Sequence, residues 1–208
     1  MEYSKEFKAA LSNFSSIEKD RLIFRLLKKD KLLSKKLYFE LIDPETTDDK
    51  RNTMEEHLRE KVRLSSKYIG NAKYFLSIIR KTSAEITEHV KITTDKFGEV
   101  SLNLLLISRI LEYNDDLSRQ RFDKVYKLYI YLINKIFKAL VLIRKLDEDY
   151  WLEFDEMFSE LYRKINGNHY LQKLCINNSL DLNWLKCENI PEDIDVIMKE
   201  IKNQGYLR

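Results

Sequence analysis

Four glycines and two prolines are all that punctuate 208 residues. β-Sandwiches and barrels reverse direction every few residues and draw on these two residue types to do so. A chain this poor in them is left with helices joined by short connections. Leu, Ile, Lys and Glu are abundant instead, and most of these favour helix.

The periodicity agrees. Phe7, Ala10, Leu11 and Phe14 recur at helical spacing. Ser15-Ser16-Ile17-Glu18 reads as a capping box that ends one helix and starts the next, with its stripe of Leu22, Ile23, Leu26 and Leu27. Asp30 caps a third helix through Leu33, Leu37 and Leu41. It stops before Asp43-Pro44, since proline disfavours helical geometry in the residue before it. Thr46, Thr47 and Asp48 offer caps for a fourth helix through Met54, Leu58, Val62 and Leu64, and Gly70 is a joint. A fifth runs from about Asn71 to Thr93. Asp95-Lys96-Phe97-Gly98 reads as a turn before a very apolar sixth helix, Val100 to Leu111. Asn114-Asp115-Asp116 ends it, and Ser118 caps a seventh. That helix, about Arg119 to Leu146, is apolar nearly all round, which puts it at the centre of the bundle. Asp147-Glu148-Asp149 precedes an eighth helix bearing Trp151, Phe154, Met157, Phe158 and Leu161, closed by Asn166-Gly167-Asn168. Two shorter helices are expected near Tyr170 to Ile176 and Pro191 to Ile201. No fixed-period repeat and no low-complexity linker divides the chain. The expected fold is all-α: an irregular bundle of about eight to ten helices with a long central helix. It is read as one domain over 1–208, with 1–43 a candidate small helical appendage.

Charged residues make up 34% of the chain, yet the net charge is only +3. So weak a field implies no general affinity for nucleic acid or membrane. Lys127, Asn134, Lys135 and Lys138 interrupt the most apolar stretch, Tyr126 to Ile143, which rules it out as a membrane span. No apolar signal region follows Met1-Glu2-Tyr3-Ser4-Lys5. The two cysteines, Cys175 and Cys187, have no paired spacing and suit a reducing compartment. A cytoplasmic location is expected by elimination.

Most familiar enzyme signatures are missing. There is no Walker-type phosphate loop, no dinucleotide-binding glycine pattern and no nucleophile elbow. His57, His89 and His169 are far apart, and none belongs to a His-Glu-x-x-His or Glu-x-x-His motif.

One constellation stands out. Glu85-Ile86-Thr87-Glu88 is a Glu-x-x-Glu, and Glu112-Tyr113-Asn114-Asp115 is a Glu-x-x-Asp. Residues three apart share a helix face, so each pair can offer two carboxylates to one cation. The intervening chain suffices for a turn and an antiparallel return. Four converging carboxylates would hold Mg²⁺, a hard cation that prefers oxygen. The motif pair resembles the signature of the all-α nucleoside-triphosphate pyrophosphatases, the MazG-like and dimeric dUTPase group. The whole chain is also similar to a family of uncharacterised bacterial helical proteins, some described as deoxyuridine triphosphate nucleotidohydrolases. The resemblance implies a helical bundle that uses Mg²⁺, held by Glu85, Glu88, Glu112 and Asp115, to split nucleotides such as dUTP into a monophosphate and pyrophosphate. Arg80, Lys81 and Arg109 are then the nearest candidates for phosphate contacts.

Helical geometry separates these acids. Ile78, Thr82, Glu85, His89 and Ile92 form one stripe of the fifth helix, so Glu85 and His89 need partners and are expected to pair with each other. Glu88 lies nearer Lys81 and Lys91 on a solvated face, and Glu112 shares a solvent-facing stripe with Ser101 and Ser108. The plainer reading makes all four ordinary surface acids.

Two further features admit a binding role. Arg25, Lys28, Lys29, Lys31, Lys35 and Lys36 make the second and third helices basic, with Phe24, Tyr38 and Phe39 expected in the core. Residues 147–162 carry seven acids and no Lys or Arg, with Trp151 and Phe158 interleaved. Such an acidic helix can dock a basic partner, or simply pack its aromatics inward. Tyr126, Tyr129 and Tyr131 are expected to be core residues. Two functional readings stay open. One is a Mg²⁺-dependent nucleotide pyrophosphatase, which needs the four acids in a shared cleft. The other is a non-enzymatic helical interaction or scaffold protein, which predicts an exposed apolar patch rimmed by polar residues.

Overall fold

The computed structural model describes residues 2–113, 117 and 121–208. Among these are ten α-helices and no strand. The first three are α1 (Lys5–Ser12), α2 (Ser16–Lys29) and α3 (Lys31–Leu41). Next come α4 (Thr47–Ser65), α5 (Ala72–Thr93), α6 (Lys96–Tyr113) and α7 (Phe122–Ile143). The chain ends with α8 (Trp151–Asn166), α9 (His169–Asn177) and α10 (Ile194–Asn203). Short 3-10 turns at Ser66–Tyr68, Glu148–Tyr150, Leu182–Trp184 and Cys187–Asn189 join several of them. No helix among the described residues is long and apolar enough to cross a membrane.

Local chemistry sets the helix starts. Ser15 and Glu18 form a reciprocal capping box at α2, and Thr46 and Asp49 form another at α4. The Asp30 side chain accepts from Leu33 N, and the Asn71 side chain from Tyr74 N. The expected turn at Asp95–Gly98 is shorter in the structure. Thr94 alone takes the left-handed conformation at the end of α5, and Asp95 Oδ1 then accepts from Gly98 N at 2.7 Å. With its first turn capped in this way, α6 starts at Lys96, four residues earlier than the apolar pattern suggests. The proposed end of α6 at Asn114-Asp115-Asp116 and the Ser118 cap lie outside the described residues.

Two helices occupy the centre. α7 is buried on several sides and lies against α5, α6, α9 and α10. α6 is covered by α4, α5, α7 and α8, and an almost continuous run from Val100 to Ser108 is buried. The stripe of Ser101 and Ser108 is therefore interior, not solvent-facing, and Lys164 of α8 reaches the Ser108 carbonyl. Fully buried Phe75, Phe137, Phe154 and Phe158 fill the space between the helices, each worth roughly 2–3 kcal/mol of transfer free energy. Tyr129 is also interior, and its hydroxyl accepts from Asn168 Nδ2 at 2.7 Å, tying α9 to α7. Tyr131 is half-buried and Tyr126 lies at the surface.

α1, α2 and α3 are built differently. None of them contains a buried residue. α2 lies on α3 and α3 on α5, so these helices form an arm that joins the body through α3. Phe24 and Tyr38, expected in the core, are 63% and 56% exposed. Their helices are amphipathic, but both rings stay largely in solvent.

Candidate functional site

Where the arm meets the body, α3, α4 and α5 enclose a cleft of about 750 Å³. That volume is in the range of small-molecule pockets. α3 contributes Lys35, Tyr38 and Phe39, α4 contributes Met54 and His57, and α5 contributes Glu85, Glu88, His89 and Ile92. The walls are thus mainly aromatic and aliphatic, with charges of both signs around them.

Each charge has a partner. Glu85 Oε2 lies 2.9 Å from His57 Nε2, and Lys61 Nζ donates to the other carboxylate oxygen. Burial by itself would raise the Glu85 pKa, but hydrogen bonds from Lys61 and His57 outweigh it and hold the carboxyl below its ordinary range. Glu88 pairs with Lys35 across the arm–body junction. At the cleft mouth Lys50 lies 2.8 Å from Asp43 and also pairs with Glu45.

Behind the cleft is a second, deeper cluster. Arg51 donates Nε to Asp95 Oδ2 at 2.7 Å and Nη2 to Oδ1 at 2.9 Å. His89 is only 8% exposed, and its Nε2 stands 3.9 Å from Asp95 Oδ2 with no hydrogen-bond partner. That spacing is electrostatic rather than hydrogen-bonded. Burial alone would raise the Asp95 carboxyl, yet His89, Arg51 and the Gly98 amide together hold it far below the carboxylate range. His89 therefore sits beside Asp95, and Glu85, the partner expected from the helical stripe, is taken by His57 and Lys61. The cause is tertiary: His57 and Lys61 arrive from α4, which one helix's periodicity cannot reveal.

The candidate metal ligands are distributed as follows. Glu85 and Glu88 share the cleft. Glu112 lines a separate hollow with Arg109, Glu160, Arg163 and Lys164, where Arg109 and Lys164 bond its carboxylate. Asp115 lies outside the described residues. The chain reverses at Thr94–Asp95, nine residues after Glu85 and seventeen before Glu112. The difference leaves the two acids about 12 Å apart along the hairpin axis. Among the described residues no group of three or more His, Cys, Asp or Glu is placed to hold a metal ion. Three of the four acids are already bonded to cations, so these residues do not form a ready Mg²⁺ cage. Of the candidate phosphate contacts, Arg80 lies over the Tyr131 ring, Lys81 is exposed and Arg109 pairs with Glu112. None of the three lines the cleft.

Sequence reasoning missed a buried polar cluster between α5, α6 and α7. Lys135 Nζ donates to Ser83 Oγ and, at 3.0 Å, to Asn103 Oδ1. Burial, helped by the nearby charge of Lys138, pushes the Lys135 amine down to about 8. The interruption of an apolar helix by Lys135 was a visible signal, but its partners come from other helices. Comparison of the chain with protein-family models, with curated proteins and with solved structures finds no match.

Proposed function

We propose that this chain is a helical interaction protein that engages a partner through its N-terminal arm. One observation carries the reading. α1–α3 add nothing to the buried core, while Phe7, Ile17, Ile23, Phe24 and Leu26 stand in solvent among lysines and arginines. Isolated surface apolar residues are ordinary, but a run of them along two successive helices is a recognised mark of a binding surface. The two thiols are free and buried, and burial pushes both up to about 12, which makes them unreactive. They fit a reducing compartment and support a cytoplasmic setting.

The test is site-specific photo-cross-linking in living cells, with a photoreactive residue at position 17 or 24 and a control at position 203 on α10. Discrete adducts from the two arm positions alone are expected. No adducts, or the same adducts from the control, would remove this reading.

A second reading, a Mg²⁺-dependent pyrophosphatase acting on nucleotides such as dUTP, has a narrower basis. Glu85, Glu88, Lys35 and Lys50 line one ligand-sized cleft beside aromatic side chains. Pyrophosphate release from a nucleotide panel, with and without Mg²⁺, tests it. Metal-dependent turnover that Glu85→Gln abolishes supports it, and absence of turnover on every nucleotide ends it.

A further inference from the structure

The arm is basic, and the body carries an acidic ridge of whose carboxylates only Glu160, bonded to Lys164, forms an ion pair among the described residues. Residues 19–36 hold eight Lys or Arg against two Asp, whereas residues 147–162 hold seven Asp or Glu and no base. Elsewhere charges tend to be satisfied within the molecule, as in Lys35–Glu88, Lys50–Asp43, Arg51–Asp95, Lys61–Glu85 and Lys138–Glu99. Among the described residues, Arg21, Arg25, Lys28 and Lys29 on α2 form no ion pair. Nor do Glu148, Asp149, Glu153 and Glu156 at and before the start of α8. Apolar side chains stand within both charged sets. Phe24 and Ile23 lie on α2, and Leu152, 82% exposed, lies between the unpaired acids of the ridge beside Tyr150.

The accessible surface also exceeds that of a compact chain of this mass, as a projecting arm requires. It measures 13134 Å². A compact chain of 25.0 kDa exposes roughly 10,200 Å², so the excess is about 2,900 Å². A standard interface takes roughly 800 Å² from each partner, and two such contacts per chain fit within the excess.

We propose that the arm's occupant is a second copy of this chain, with α2 of each protomer lying on the α8 ridge of the other in a closed two-fold dimer. This rests on the arm being a binding surface, as inferred above. Arm against arm would oppose base to base, and ridge against ridge acid to acid. Only arm on ridge is complementary, and a complementary field sets both register and encounter rate. Reciprocal exchange closes the contact by symmetry and leaves no open end. Leu152 supplies an apolar anchor for the uncovered face of α2, and the charges form the rim.

The test is sedimentation equilibrium of the full chain from micromolar to millimolar concentration, at low and at raised salt. The mass should rise to twice that of the chain and fall back when salt is added. The triple variant Arg25→Glu, Lys28→Glu, Lys29→Glu should weaken association about 10-fold or more, and so should Glu153→Lys with Glu156→Lys. All five residues are solvent-facing and without ion pairs, so folding, followed by circular dichroism, should be unchanged. All five changes in one chain restore complementarity and should restore the dimer. A monomer at every concentration overturns the pairing, as does a dimer indifferent to both reversals. A mass climbing past twice the chain's overturns the closed geometry. A monomer that instead co-sediments with phosphatidylserine vesicles gives the arm a lipid occupant and overturns the pairing as well. The arm's role in binding other proteins is read separately by the cross-linking experiment, so its failure and the failure of this pairing are distinguishable.

Discussion

At Gly98 an ordinary rule of helix stability changes sign. Glycine inside a helix is usually worse than alanine by roughly 1 kcal/mol, because it gives up more backbone freedom. Here a Cβ would stand 2.0 Å from Asp95 Oδ2 and 3.0 Å from Arg51 Nε. Neither atom belongs to a loose surface chain, since they form the buried bidentate pair behind the cleft. Gly98→Ala is therefore expected to lower stability by about 1–3 kcal/mol, read from the denaturant midpoint. A rise in the midpoint would show that the pair can move aside. Lys135 gives a second residue-scale expectation. Its folded pKa, about 8, lies below the ordinary 10.5. The cost of burying its charge is thus fully present below about pH 8 and fades as pH rises toward 10.5. Over that window the wild type should gain on Lys135→Met by up to roughly 3 kcal/mol. Parallel denaturation curves for the two proteins across the same pH range would contradict it.

Helix ends show which elements belong to the cooperative unit. α4 and α2 start with the same device, a Ser or Thr cap with its reciprocal acid. Thr46→Ala should lower the global stability by about 1 kcal/mol, because α4 packs on α6 through the fully buried Leu58 and Val62. Ser15→Ala should leave the global midpoint in place and speed amide exchange within α2 alone, because nothing in α2 is buried. Equal shifts in both midpoints would show the arm folding as one with the body. The same contrast explains what the sequence could reveal. Caps and breaks at Ser15, Asp30, Thr46 and Asn71 are local, and the helices begin where those residues indicate. The apolar stripe of α2 is equally legible, but amphipathicity does not say whether a partner face exists, and Phe24, a core residue by its spacing, stands in solvent. At the candidate site, Glu85 was legible as a half-buried acid on α5, while its partners His57 and Lys61 come from α4 and were not.

At the scale of the whole molecule, the buried core is built from α4 onward, and α1–α3 cover only part of its surface. Removing residues 1–43 should leave a helical body with a cooperative transition close to that of the full chain. It should also abolish the association proposed for the arm. Calorimetry and sedimentation of the shortened chain test both statements, and loss of the cooperative transition would make the arm part of the fold. α3 occupies an unusual position in this arrangement. It tethers the arm to α5, and with Lys35, Tyr38 and Phe39 it forms one wall of the 750 Å³ cleft. The Lys35–Glu88 bridge spans the same seam. Any partner that shifts α3 reshapes the cleft, and any ligand that holds the cleft in one shape fixes where the arm stands. The two binding events then share a single coupling free energy, and whatever factor one imposes on the other's affinity must be returned in full.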